Sequence, residues 1–552
     1  MTTAAQDVAK ALKAWNIRRV FALCADQTNS LLDALSDEGI VVVGTRQESA
    51  AVHMADGWAR ATGEPGVAIV GGGPGFLNAV TGFAVSQSAA TPVLVIAGQP
   101  ALHTRDRNGH QILYQADIVR SLTKWSQEVV SPAIAAEFVC RGIGIATAGK
   151  PGPVHISIPV NVMDADAEAS VYRIVPGDWR SQSYETVKGD SMSRALALLN
   201  AAKRPMMIVG GGAWWELGRG ESKRLSEMLG IPIFTTELAR GLIADDGASC
   251  FGYAHPSFNR TFNAISSADL LIFAGTEMNL HTGAATRGLV GKNTKIVQLH
   301  RDPAQIGIGR ATDAALLGPL DVSLCGLAGG IEHTARVAHG AWLAEVQQIH
   351  AKHQKEWDAI RGRVGRSKSS SVHPLLVCDS MRRHYSDKVR VVIDGGDFVH
   401  WPRLYFRAQT PGFWMDGAEI GALGASLPVG IGAQMGRPAA QTWVFIGDGG
   451  FGFYGFDLST AVEHKLSIKV IIGNDGCWGV ERRLQLASFK RTVATDIREI
   501  EYHNLALAMG AKARMVQDPA ELDGAVDEMV ASDGPFVLNV RIPRDMGRPL
   551  MK

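Results

Sequence analysis

The sequence predicts an α/β protein built from three doubly wound parallel-sheet domains, at residues 1–170, 190–330 and 370–552. Three observations predict it. Apolar runs of four or five residues alternate with longer segments carrying apolar residues at helical spacing, the pattern of parallel strands joined by crossover helices. A chain of 552 residues is too long for one hydrophobic core. The alternation also weakens twice, over residues 164–189, which suit a linker, and over 331–370, where Lys and Arg spaced along a helical stretch suit a solvated connector.

Composition narrows the function classes. Hydrophobic content of 46% and charged content of 20% are those of an ordinary globular protein. With 55 basic against 54 acidic residues, nothing electrostatic favours nucleic acid or an anionic membrane as partner. The six cysteines (24, 140, 250, 325, 378 and 477) lack CxxC spacing, which argues against a zinc site or disulfide framework and for reduced thiols. The first residues lack a basic segment followed by an apolar core, and no apolar run reaches the roughly 18 residues of a membrane span. A cytoplasmic protein is expected.

In the first domain, helices are expected at 5–16, 30–37 and 50–60, the last with Ala51, Met54, Ala55 and Trp58 on one face. Strands are expected at 20–23, 41–43, 67–70, 92–97 and 152–159. Glu48 stands between strand 41–43 and the following helix, and by itself reads as a first-turn acid favoured by the helix dipole. The run Gly71-Gly72-Gly73-Pro74-Gly75 resembles a dinucleotide turn, but it does not give GxGxxG and no acid follows about 20 positions on. Residues 103–115 are polar and basic and read as a surface loop containing Gln111.

In the second domain, strands are expected at 205–209, 231–234, 270–274 and 295–299. Gly210-Gly211-Gly212 is followed by Ala213-Trp214-Trp215, too bulky for close approach of a pyrophosphate, so a structural turn is expected. A nicotinamide-dependent dehydrogenase would thus lack its ribose-binding acid in both places.

The third domain is the most informative. Strand 389–393 ends in Asp394-Gly395-Gly396-Asp397, and Gly421-Ala422-Leu423-Gly424 precedes a helix that runs to Gln434. Strand 443–446 then leads into Gly447-Asp448-Gly449-Gly450, a helical segment at 455–464, strand 468–472 and Asn474-Asp475-Gly476-Cys477-Trp478-Gly479. Mg²⁺ takes oxygen ligands in near-octahedral geometry and usually shares them with a phosphate. Asp448, one of Asn474 and Asp475, and a carbonyl just beyond supply three such oxygens. Gly449 and Gly450 let backbone N–H groups approach a phosphate. The unit reads as a Mg²⁺-diphosphate site. A last strand at 536–540 leaves a short tail.

That stretch resembles the signature of the thiamine diphosphate enzymes, and the run from Arg46 to Arg60 is similar to the stretch carrying their cofactor-activating glutamate. The resemblance covers essentially the whole chain. It implies a pyrimidine-binding domain (1–170), a central Rossmann-like domain (190–330) and a diphosphate-binding domain (370–552), with thiamine diphosphate and Mg²⁺ as cofactors. It implies Asp448, Asp475 and the Cys477 carbonyl as metal ligands, with Asn474 competing. The family usually has Asn at the Asp475 position, so this chain departs from it by one negative charge. Gly395, Gly447, Gly449, Gly450 and Trp478 fall at the cofactor, and Leu423 falls where a large apolar side chain props it into a bent shape. Glu48 would hydrogen-bond the aminopyrimidine ring nitrogen from an apolar setting that raises its pKa.

Within the family, Gln111, Gln115, Arg120, Thr123 and Lys124 match a segment of the 2-hydroxyacyl-CoA lyases and benzaldehyde lyases in which the glutamine faces the cofactor. Gln27 stands where relatives sometimes have His, leaving proton transfer to the cofactor's amino group, water, His110 or His400. The implied activity is a carbon–carbon lyase or carboligase on small 2-hydroxyacyl substrates, with or without coenzyme A, through a carbanion held by the cofactor. An acetolactate synthase-like enzyme on 2-oxo acids is the alternative. A homodimer or homotetramer with the site between subunits is implied. Arg224, Arg240, Arg287 and Arg310 could serve an ADP moiety in the central domain. A silent regulatory or FAD-binding relative is disfavoured by the presence of both Glu48 and Asp448.

Overall fold

A computed structural model describes the chain except residues 1, 108, 168–188, 218–223, 225–226, 285–287, 365–370 and 545–552. The linker expected at 164–189 falls largely outside the described residues, as does most of the tail. Strand β1 (Thr2–Thr3) pairs antiparallel with β8 (Asp166–Ala167), pinning the chain's start beside the end of its first domain. Between them β2 (Arg19–Ala22), β3 (Val41–Gly44), β4 (Gly66–Val70), β5 (Val93–Gln99), β6 (Trp125–Glu128) and β7 (Val154–Pro159) form a parallel sheet ordered β3-β2-β4-β5-β7-β6. The central strands β4, β5 and β7 are buried along their whole length, as strands covered on both faces must be. Edge strand β6 and the helix Ala135–Thr147 are not anticipated above: β6 is short and polar, and glycines interrupt the helix's apolar stripe.

The second sheet holds β9 (Pro205–Val209), β10 (Ile233–Thr235), β11 (Cys250–Tyr253), β12 (Leu270–Ala274), β13 (Lys295–His300) and β14 (Ala314–Leu317), ordered β11-β10-β9-β12-β13-β14. The helical stretch expected as a solvated connector is largely one helix, His333–Val364, but it is not solvated on all sides, since it buries Ala335, His339, Trp342 and Val346. Their spacing of four, three and four is a helical stripe hidden among the surrounding charges.

The third sheet holds β15 (Val389–Ile393), β16 (Trp414–Asp416), β17 (Gln441–Gly447), β18 (Ile468–Asn474), β19 (Lys512–Val516) and β20 (Phe536–Arg541), ordered β16-β15-β17-β18-β20-β19. The helix after β17 starts at Asp448, earlier than expected. Gly447 leaves the strand extended (φ −76°, ψ 161°), and Asp448 takes the first-turn position that a helix dipole favours in an acid.

The first and third domains share one core. A buried cluster runs from Phe21, Met54 and Phe83 through Leu427 and Ile431 to Ile446 and Val470. Its centre is the crossing of the helices Glu48–Thr62 and Ser426–Gly436, where a Cβ on Gly57 would lie 2.0 Å from the Val429 oxygen and one on Gly432 1.9 Å from the Met54 oxygen. All six cysteines are free, and among the described residues no helix is long and apolar enough to cross a membrane.

Candidate active site

In-register pairing of β17 with β18 sets Gly447 beside Gly473, so the residues that follow each strand meet beyond its carboxyl end. Asp448 Oδ2 accepts from the Gly476 amide (3.0 Å), and Asp475 Oδ1 accepts from the Cys477 amide (3.1 Å). Burial, and then the charge of Asp475, push Asp448 up to about 7. Burial, with a smaller push from Asp397, raises Asp475 to about 6. Two buried carboxyls in one sheltered rim, Asp448 held up in part by the charge of Asp475, could serve as donors to a cation.

Asn474 is turned the other way. It is 1% exposed, and its amide donates to the Ile500 carbonyl (3.0 Å) and to Asn539 Oδ1 (3.2 Å). The Cys477 thiol is pushed up to about 12 by burial and by Asp475, so it stays a neutral thiol, and the residue's available donor is its carbonyl. Among the described residues no three His, Cys, Asp or Glu side chains converge as a metal cage. Two carboxylates and a carbonyl leave the remaining positions to phosphate and water, which suits Mg²⁺.

The glycines of this rim are held close to their neighbours. A Cβ on Gly449 would lie 2.5 Å from the Trp478 ring, and one on Gly450 2.4 Å from Asp394 Oδ2. Asp394, buried at the end of β15, accepts from the amides of Gly424 (3.0 Å) and Ser426 (3.4 Å), and burial pushes it up to about 6. Leu423 packs over Gly395, where a Cβ would stand 2.7 Å from its Cδ2. The loop after β18 is strapped from outside: the Gly476 carbonyl accepts from the Ile497 amide (2.9 Å), and Arg544 donates to the carbonyls of Asp475 (3.1 Å) and Gly476 (3.3 Å). Arg483 forks onto Asp397 (3.1 and 3.0 Å). The acid–glycine pattern at 394–397 was a sequence signal for this rim; Arg544, far downstream of the motif, had none.

A second cluster lies at the carboxyl edge of the first sheet. Gln27 Nε2 donates to Gln111 Oε1 (2.9 Å), while Gln27 Oε1 accepts from the Gly72 amide (3.2 Å). Gln111 adopts a left-handed backbone (φ 60°), with Gly73 so close beneath that a Cβ there would sit 2.6 Å from that of Gln111. Glu48 Oε2 accepts from Asn78 Nδ2 (3.0 Å), and a Cβ on Gly75 would lie 2.9 Å from Glu48 Oε1. The glycine run 71–75 is thus the shelf that Glu48, Gln27 and Gln111 share. Glu48 is half-buried, so this chain alone does not complete the apolar cover expected around it. His110 is exposed, and His400 stacks on Phe258 and accepts from Arg403, away from Gln27.

No hydrogen bond or ion pair among the described residues joins Glu48, Gln27 or Gln111 to Asp448, Asp475 or Trp478. The neighbouring link is Ser49 Oγ to the Tyr454 hydroxyl, 2.9 Å. Large apolar side chains stand exposed on the helices that carry the two clusters: Leu77 (48%) beside Asn78, and Phe453 (56%) and Phe456 (74%) just after Asp448.

Where the three domains meet lies a cavity of about 280 Å³, bordered by Lys150, Gly211, Gly275, His300, Arg403 and Gly395. The glycine turn at its edge serves packing, since a Cβ on Gly210 would meet that of Thr276 at 2.1 Å. The arginines considered for an ADP moiety do not converge there. Arg240 is buried on Asp245 (2.6 Å), Arg310 donates to the carbonyls of Gly291, Lys292 and Thr294, Arg224 is exposed, and Arg287 lies outside the described residues.

Comparison with known proteins agrees with this geometry. Three domain models match the chain: the thiamine pyrophosphate enzyme N-terminal TPP binding domain over residues 2–118, the central domain over 192–327 and the C-terminal TPP binding domain over 394–540. An acetolactate synthase large subunit of Mycobacterium tuberculosis is 29% identical, covering 97% of this chain and 94% of its own. The 2-hydroxyacyl-CoA lyase 2 of Bos taurus is 28% identical, covering 98% and 90%. A probable acetolactate synthase large subunit of Methanocaldococcus jannaschii is 26% identical, covering 99% and 93%.

Proposed function

Because this chain belongs to the thiamine pyrophosphate enzyme family, we propose that it is a thiamine diphosphate- and Mg²⁺-dependent carbon–carbon lyase or carboligase acting on small 2-hydroxyacyl substrates. The observation that carries the cofactor assignment is the pair Asp448 and Asp475, two carboxyls raised chiefly by burial beyond adjacent strand ends. They and the Cys477 carbonyl would hold the metal, with the amides at the start of the Asp448–Tyr454 helix directed at the diphosphate. Leu423, on Gly395, would support the cofactor's bend.

Bound there, thiamine diphosphate supplies a carbon nucleophile for a substrate carbonyl and a sink for the electron pair of the broken C–C bond. Glu48 would hold a proton at the aminopyrimidine ring nitrogen, with Asn78 fixing one carboxyl oxygen. The Gln27–Gln111 pair offers amide donors and acceptors to orient a substrate oxygen, and being neutral it moves no proton itself. The coenzyme A state of the substrate is left to experiment. The second reading, an acetolactate synthase-like enzyme on 2-oxo acids, is favoured by the names of the mycobacterial and archaeal relatives.

Half-buried Glu48 and the exposed Leu77, Phe453 and Phe456 support a homodimer or homotetramer in which one subunit's first domain faces another's third. Six free cysteines fit a reducing, cytoplasmic setting. Product analysis decides the substrate. The cofactor-loaded protein is given a 2-hydroxyacyl-CoA in one tube and pyruvate in another, with Glu48→Gln as control. An aldehyde or ketone plus formyl-CoA in the first tube, absent in the variant, is the expected result. Carbon dioxide and an acyloin in the second tube alone would move the enzyme to the synthase reading.

A further inference from the structure

A small cleft of about 30 Å³ lies where the His333–Val364 helix and the second domain meet residues 403–407 of the third, and four arginines border it: Arg240, Arg260, Arg403 and Arg407. Three have a carboxylate. Arg240 pairs with Asp245 (2.6 Å), Arg260 with Glu356 (2.9 Å) and Arg403 with Glu237 (3.0 Å). Asp416, 3.6 Å from Arg403, borders the larger cavity instead.

Arg407 differs. Its guanidinium has no hydrogen-bond or carboxylate partner among the described residues. Asp245 spends Oδ2 on Arg240 and the Ala408 amide, its buried Oδ1 makes no hydrogen bond to Arg407 or any other described residue, and Asp246 accepts from Gln409. Burial holds Arg407 below the usual arginine value, Arg240 adds repulsion, and Asp245 with Asp246 offset only part of this. The same surplus charge reaches His350, which burial first and Arg407 second push down to about 4.

A planar fork of five donors that has no carboxylate of its own, bordering a cleft whose Asn259, Thr261, His353 and Gln354 offer only neutral acceptors, is matched by an oxyanion, which guanidinium binds through paired, charge-assisted hydrogen bonds. We propose that this cleft is an anion site that takes a small oxyanion of the phosphate class on Arg407 and Arg260, beside the neutral side chains of His353 and Gln354. Arg403 borders both this cleft and the 280 Å³ cavity that ends at Gly395 and Ala422, so an occupant here bears on that cavity's wall and has the position of an effector.

The test titrates inorganic phosphate into the full-length, cofactor-loaded protein at constant ionic strength, with chloride as control, and follows the thermal midpoint and heat of binding. The expected result is a saturable rise with phosphate that chloride does not reproduce. Arg407→Gln weakens it about tenfold or more. Gln354→Glu, which brings a carboxylate into the cleft, blocks phosphate and raises the midpoint in its absence. A wild-type midpoint that moves no further in phosphate than in chloride overturns the site without recourse to any variant. So does an unchanged phosphate affinity in either variant.

Discussion

The two polar rims contrast in how their groups are satisfied. At the first sheet, neutral partners orient the groups: the Gly72 amide and Gln111 hold Gln27, and Asn78 holds one oxygen of Glu48, leaving Glu48 Oε1 and the Gln111 amide N–H to face a ligand. At the third sheet, burial raises both Asp448 and Asp475, the charge of Asp475 raises Asp448 further, and among the described residues no cationic side chain forms an ion pair with either. One rim is preorganised to orient and the other is poised to be charged. Binding energy should therefore come mainly from the third domain, and chemistry from the first.

The sharpest way to break that division is Glu48→Gln. Removing a positioned proton carrier costs roughly 10²–10⁴-fold in turnover. The affinity for Mg²⁺ and thiamine diphosphate, measured calorimetrically, should change by less than about tenfold, because the residues proposed to hold the metal and diphosphate lie on the other rim. A loss of cofactor affinity as large as the loss of turnover would show that the two rims do not divide the work.

The rims are also tied within one chain by the crossing at Gly57 and Gly432. Gly57→Ala would gain about 1 kcal/mol of helix propensity. It would also push a methyl into the Val429 carbonyl at 2.0 Å, which only backbone movement can relieve. Overpacking of this kind costs about 1–3 kcal/mol even where side chains can yield, so the clash wins. A lowered melting midpoint is expected, with the first and third domains unfolding together. A neutral or raised midpoint would mean that the shared core is looser than it looks.

A smaller effect isolates the charge departure in the third rim. Both carboxyls are raised above the unfolded value near 3.9. Between about pH 4 and pH 7 the folded, metal-free chain therefore holds more protons than the unfolded chain, and its stability falls as pH rises through that window. Asp475→Asn removes one of the two groups and part of the push on Asp448. The metal-free variant should lose less stability over that range, yet still bind Mg²⁺ and thiamine diphosphate, since an amide oxygen remains at the position. Melting curves with chelator at pH 5 and pH 7.5 read this directly, and an identical pH slope in both proteins would refute it.

The third rim was legible in the sequence as a candidate site because its candidate ligands are local. Asp448 and Asp475 each follow an apolar strand directly, so parallel pairing alone brings them together. Glu48 was placed by its neighbours in the same way. What sequence pattern does not carry is which way a side chain leaves the backbone. Asn474 and Asp475 are adjacent and both offer oxygens, and only the β18–β20 pairing turns Asn474 toward Asn539 and Ile500. The Gln27–Gln111 pair depends on the left-handed backbone at Gln111, which a non-glycine residue does not advertise. The stripe through Ala335, His339, Trp342 and Val346 was masked by flanking charge, so a helix with a buried face read as a helical connector solvated all round.

Arg544 is the finest test of where cofactor affinity resides. Its two donated bonds hold the carbonyls of Asp475 and Gly476, the backbone segment that must present the Cys477 carbonyl. Because Arg544 is no ligand itself, Arg544→Ala should leave turnover at saturating cofactor within about twofold. Each lost hydrogen bond is worth roughly 0.5–1.5 kcal/mol, and the Ile497 strap still holds Gly476, so the rise in the cofactor's apparent Kd should be about three- to tenfold. Arg544→Lys, which keeps one donor, should fall between. Were kcat to drop instead while Kd stayed put, the loop's geometry would matter to chemistry rather than to anchoring, and the division between an orienting first rim and a binding third rim would have to be redrawn.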